Sequence, residues 1–125
     1  MRTVLTELES EVMQAVWDSE PCSVETAHGI VSRTRDLKET SVRTILRRLE
    51  QKGFLKHEAQ GTAYVYRAVE PPRSLAARAV RQIIDRLCQG SVEELVTGMV
   101  DAKVLSSAEM KQIEELVRNR RQRRK

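Results

Sequence analysis

The ten residues from Thr40 to Leu49 contain three arginines, two threonines and a serine, with no acid among them. A guanidinium is a planar fork of donors that fits two acceptors on one edge, such as guanine O6 and N7 or paired phosphate oxygens, and a hydroxyl adds single bonds. At about 100° per residue, Val42, Ile45, Leu46 and Leu49 form one apolar stripe. Thr40, Thr44, Arg47 and Gln51 fall opposite it, with Arg43 on one shoulder and Ser41 and Arg48 on the other. In an isolated amphipathic helix, such residues are more often a solvated face. An ordinary solvated face mixes signs, however, and this one carries only cations. Its chemistry suits base edges and phosphates.

Other chemistry is thinly represented. Cys22 and Cys88 are far apart in the chain and have no partner at metal-ligand spacing, so neither a disulfide framework nor a zinc site is expected. His28 and His57 are isolated, and no nucleophile elbow, phosphate-cradling glycine loop or paired-carboxylate arrangement occurs. The residues therefore predict a protein that is not an enzyme and needs no cofactor or metal.

The donor face needs a scaffold, and the flanking segments supply one. Thr6-Glu7-Leu8-Glu9 is a capping box opening a helix to about Trp17, and Ser23 caps a second, short helix carrying Val24, Ala27, Ile30 and Val31. The third helix stops at Gly53. The period then becomes extended, with Phe54 to Ala59 and Ala63 to Val69 flanking a Gln60-Gly61-Thr62 turn. Three helices followed by a hairpin, the third helix presenting donors outward, is the order of a winged helix-turn-helix. The tip residues Gly61 and Thr62 are placed for contacts to a nucleic-acid backbone. Tyr64 and Tyr66 alternate on one strand, either reaching phosphates or packing on the sheet.

Glu70-Pro71-Pro72 marks a boundary. Beyond it Ala76, Val80, Ile83 and Leu87 repeat at helical spacing, widened by Leu75 and Ile84. Ser91 and Ser106 open two further helices carrying Leu95 and Met99, then Ile113 and Leu116. So small a helical unit rarely buries enough surface alone. The expected architecture is mainly α with a small β-hairpin: a winged helix-turn-helix over 1–70 and a three-helix dimerisation domain over 71–117. The dimer residues would be Leu75, Ala76, Val80, Ile83, Ile84, Leu87, Leu95, Met99, Ile113 and Leu116. Residues 118–125 read as a basic, disordered tail, whose charge serves either phosphate attraction or solubility.

Charge is segregated along the chain. The net +4 depends on the six basic residues from Arg118 onward, and residues 1–117 carry 16 basic and 18 acidic groups. Residues 1–32 hold one arginine against six acids, whereas 33–56 hold eight basic residues against three acidic ones. A local basic face is the signal, not overall basicity. No run approaches the roughly 20 apolar residues a membrane span needs, and Met1 to Ser10 do not resemble a leader, so a cytoplasmic protein without membrane insertion is expected.

The chain also resembles the penicillinase-repressor family of bacterial transcription repressors, of the BlaI, MecI and CopY types. The resemblance runs from Leu5 through Val117. It is carried by Leu8-Glu9-Ser10-Glu11-Val12-Met13 with Val16-Trp17, by Ser41 through Leu49, by the Lys52-Gly53-Phe54 stop and by Tyr64-Val65-Tyr66. It implies a homodimer repressing from a pseudo-palindromic double-stranded DNA operator, with contacts at Thr40, Ser41, Arg43, Thr44 and Arg48. In β-lactam-responsive members a membrane sensor protease triggers cleavage of the dimerisation domain, and the matching bond here is Gly98–Met99. Copper-responsive members end in a cysteine-rich motif, whereas this chain ends in arginines. The rival expectation is a helical adaptor that binds protein through residues 73–117 without specific DNA binding.

Overall fold

The computed structural model describes residues 5–123. Helix α1 (Glu7–Asp18) is followed by β1 (Cys22–Ser23), α2 (Val24–Val31), α3 (Glu39–Gln51), the hairpin β2 (Leu55–Gln60) and β3 (Ala63–Ala68), then α4 (Pro72–Leu87), α5 (Val92–Asp101) and α6 (Ser107–Arg123). The fold is mainly helical with a small antiparallel sheet.

The caps form as the sequence dictates. Thr6 Oγ1 accepts from the Glu9 amide while Glu9 reaches back to the Thr6 amide, and Ser23 Oγ accepts from the Thr26 amide. Ser106 and Glu109 repeat the reciprocal arrangement ahead of α6, and Ser91 accepts from the Glu94 amide ahead of α5. Such caps satisfy amides that the first turn of a helix leaves without partners.

The sheet holds one more strand than the hairpin predicted, in the order β1-β3-β2. Cys22 pairs with Tyr66 and Ser23 with Val65. Two residues carry no period of their own, so only pairing to β3 defines this strand. The hairpin turn is also tighter than expected: Gln60 pairs with Ala63, leaving Gly61 and Thr62 as the connection. Gly61 sits at φ 65°, a conformation that glycine adopts without strain.

The chain divides into two compact units, Met1–Val80 and Arg81–Lys125. In the first, Val12, Met13 and Val16 of α1 meet Ala27 and Val31 of α2, Val42, Leu46 and Leu49 of α3, and Phe54, Leu55 and Tyr66 of the hairpin. The division falls inside α4 rather than at Glu70-Pro71-Pro72, because Leu75 in the first turns of α4 is buried in this core. The Trp17 indole donates to the Glu70 carbonyl at 3.1 Å, and the Glu70 carboxylate accepts from Ser74 and Arg78, fixing the start of α4. In the second unit Ile84 is the one buried apolar residue among those described.

Helix α6 runs through Arg123, past the point where a disordered tail was expected to begin. Arginine is a good helix former, and no glycine or proline follows Val117 to stop the helix. Arg124 and Lys125, the end of that basic run, lie outside the described residues. No helix among the described residues is long and apolar enough to cross a membrane.

Candidate nucleic-acid interface

The outer face of α3 is set by what its inner face buries. Val42, Leu46 and Leu49 are fully closed off, Ile45 packs against the same core, and Gly53 at φ 91° turns the chain so that Phe54 closes the end. With those anchors fixed, Thr40, Thr44, Arg47, Arg48 and Gln51 are exposed, while Ser41 and Arg43 are half-buried on the shoulders.

Their bonding states differ. Thr44 Oγ1 donates to the Thr40 carbonyl at 3.0 Å, and Arg43 lies 3.4 Å from Glu39, one turn earlier. Arg47 and Arg48 have no hydrogen-bond or ion-pair partner among the described residues. Other cations of the same unit are neutralised: Arg35 by Glu11, Lys52 by Glu9 and Arg67 by Glu58. The solvated cations of α3 are thus available to an outside anion.

Beside this face lies a cleft of about 370 Å³ shared by α3, the start of α2 and the hairpin. Arg43 and Arg47 line one side, and Thr62, Ala63 and Tyr64 the other, with Glu25 and Glu39 also on its wall. The structure thereby brings Arg43, Arg47 and Thr62 together. Thr40, Thr44, Arg48 and Gly61 are exposed but line no part of this cleft. Guanidinium and hydroxyl donors across a gap can hold an acceptor-rich strand such as a phosphate backbone.

The two tyrosines differ in burial. Both line the cleft, but Tyr64 is 56% exposed there, whereas Tyr66 is buried against the core. Burial pushes the Tyr66 phenol up, and the Glu50 carboxylate adds to the shift against the opposing pull of Arg47 and Arg43. Packing therefore accounts for Tyr66.

Neither histidine is isolated in space. His28 Nε2 donates to the Leu37 carbonyl at 2.7 Å, tying α2 to the loop before α3. His57 Nδ1 lies 2.6 and 2.7 Å from the two carboxylate oxygens of Glu50, and its amide donates to the same carboxylate at 3.2 Å. Sequence reasoning missed this pair because Gly53 separates the two residues into different elements.

A second surface lies on the C-terminal helices. Of the predicted dimer residues, Leu75 is taken into the first unit's core and Ile84 is buried. Leu95 and Met99 are half-buried, while Ala76, Val80, Ile83, Leu87, Ile113 and Leu116 are exposed, Leu87 at 80% and Leu116 at 60%. Val96, Val100, Val104 and Val117 are exposed as well. Gly98 and Met99 sit within α5, Gly98 exposed.

The penicillinase repressor family model matches residues 5–119. An uncharacterized 16.5 kDa protein of Latilactobacillus sakei is 26% identical over 113 residues, 90% of this chain and 77% of that protein. The penicillinase repressor of Bacillus licheniformis is 22% identical over 97% of this chain and 94% of its own length. Among solved structures, Bordetella bronchiseptica BpsR, whose DNA binding is regulated by 6-hydroxynicotinic acid, is 18% identical at a TM-score of 0.50. The match covers 92% of this chain and 78% of BpsR, a likeness of fold alone.

Proposed function

The chain belongs to the penicillinase repressor family, and from that premise we propose that it represses transcription as a homodimer bound to a pseudo-palindromic operator, one α3 in the major groove of each half-site. One observation carries this reading: α3 buries Val42, Leu46 and Leu49 and so turns Arg47, Arg48, Thr40 and Thr44 outward, the arginines without counter-charges among the described residues. The major groove admits a single helix, and its guanine edges offer the acceptor pair that a guanidinium fork matches. Gly61 and Thr62 at the hairpin tip would take the flanking phosphates, which position the protein without reading sequence.

Dimerisation rests on the second unit. A helical unit this small, with one buried apolar residue among those described, lacks a sufficient core, and the exposed valines and leucines of α4, α5 and α6 supply a surface that a second copy would bury. A two-fold dimer presents two α3 helices about one turn of DNA apart, which is what a palindromic site requires.

Derepression by a membrane sensor protease extends the reading through the family resemblance. Its bond, Gly98–Met99, lies within a helical turn of α5, so a protease would need that turn opened locally. Glycine weakens a helix interior by about 1 kcal/mol relative to alanine, which favours such opening. A cut there separates α6 from the rest of the dimer surface.

Selection of duplexes from a random-sequence library by the full chain tests the reading. The expected product is a two-fold-symmetric consensus with half-sites about 10 base pairs apart, and Arg43→Ala and Arg48→Ala should each bind it more weakly. Affinity should fall with added salt by about 0.9 log unit per log unit for each phosphate contact. A chain that enriches no sequence, or both variants binding as the parent does, would refute it.

A further inference from the structure

Strand β2 has little of its own to hold it beyond its first residue. Leu55 is the last buried residue of β2, and Lys56 through Gln60 are exposed, as are Gly61 to Tyr64 beyond the turn. β2 is also an edge strand, since the sheet order places it outside β3. Edge amides that point away from the sheet need another acceptor or water. Apolar packing holds this part of the hairpin from the β3 side alone: Val65 and Tyr66, opposite Glu58 and His57, are buried, while β2 has no buried residue beyond Leu55.

One side chain adds a polar hold on the β2 side. Glu50, in the last turn of α3, accepts the backbone N–H of His57 at 3.2 Å and faces its ring Nδ1 at 2.6 and 2.7 Å. Among the described residues these are the polar side-chain bonds that join α3 to β2. The histidine ring in turn lies against Tyr64, with ring centroids 4.5 Å apart, and within 6.1 Å of Tyr66. A line of contacts thus runs from the end of α3 through His57 to Tyr64 on the cleft wall, opposite Arg43 and Arg47. His57 donates Nδ1–H to the carboxylate whether its ring is neutral or protonated.

We propose that Glu50 and His57 are positioning residues for DNA binding: together they fix the angle between the wing and the recognition helix, so that Thr62 and Tyr64 meet the backbone while α3 occupies the groove. Neither residue needs to touch DNA. The proposal rests on the DNA-binding reading above and adds the device that couples its two contact surfaces. A carboxylate with both oxygens engaged across a short gap is a charge-assisted contact, stronger than a neutral hydrogen bond and well suited to hold an angle.

The probe is the best-bound duplex selected from the random library, used with the full chain. Glu50→Ala should weaken binding about tenfold, the magnitude of one charge-assisted bond. Hydroxyl-radical protection should disappear at the wing phosphates and persist at the half-site centre. The salt slope should shrink by about 0.9 for each wing contact released. His57→Asn, which retains an N–H donor, should bind nearly as the parent does, whereas His57→Ala should match Glu50→Ala and the double variant should be no worse than either. Thermal unfolding of each variant separates these effects from loss of fold; should Glu50→Ala not fold, the contrast between His57→Asn and His57→Ala carries the test. Parent-like footprints in both alanine variants would overturn the clamp while leaving the repressor reading intact. Failure of the parent chain to select any duplex would overturn both.

Discussion

The two compact units use the same local devices and reach different ends. Both open helices with serine or threonine caps, and both carry apolar stripes at helical spacing. In Met1–Val80 three helices, a sheet and the first turns of α4 close on one another, and Val12, Val16, Val42, Leu46 and Leu49 are fully removed from water. In Arg81–Lys125 only Ile84 is buried among the described residues, while Leu87 and Leu116 face solvent. What separates the units is how many surfaces each stripe meets, not the quality of the helices. Under the proposed function, the unit complete within one chain would present the reading face, and the open unit would offer its apolar surface to a second copy.

The largest break in that comparison should come from the closed core. Phe54→Ala removes a buried ring where α3 hands over to β2 and should cost about 3–5 kcal/mol, seen in denaturant unfolding as a loss that does not vary with protein concentration. Next come changes to the open unit. Leu87→Ala or Leu116→Ala should each weaken self-association by about 2 kcal/mol, roughly thirtyfold in dissociation constant. Sedimentation equilibrium reads that loss, and circular dichroism should show the helices unchanged. An equal effect of these substitutions on monomer stability would erase the proposed difference between the units.

Smaller effects sharpen the picture of the first unit. Thr6→Ala removes the α1 cap and should cost about 1 kcal/mol in thermal unfolding. Glu9 gives the least. Burial alone would push its carboxyl up, but the Lys52 ammonium and the Thr6 bonds outweigh burial and hold it below the usual 4.5. A carboxyl depressed in the folded state stabilises above its unfolded value and loses that contribution as pH falls through its folded value. The stability of the parent and of Glu9→Gln should therefore differ above pH 4.5 and converge below the folded pKa. Curves parallel down to strong acid would show that Lys52 and Thr6 do nothing for Glu9.

Much of this was legible in the sequence where a signal is local. The caps at Thr6, Ser23 and Ser106, the α3 stripe and the Gly53 stop depend on residues within a turn or two, and each lies where its spacing places it. The donor face follows from the stripe by geometry alone. Features made by distant partners were hidden. β1 exists because Tyr66 and Val65 pair with Cys22 and Ser23, and the Glu50–His57 contact crosses an element boundary. Leu75 reads as one more member of the α4 stripe, yet the bonds around Glu70 draw it into the first core. In α6 the charge of the arginine run masked its helix propensity.

The central claim is that α3 reads DNA with its outward cations. Its most direct test is the affinity of the Arg47→Ala/Arg48→Ala double variant for the selected duplex, at fixed salt and beside a thermal melt. The account predicts a loss of about 2 kcal/mol or more per half-site with the melting temperature of the parent. Parent-like affinity in a folded double variant would contradict it.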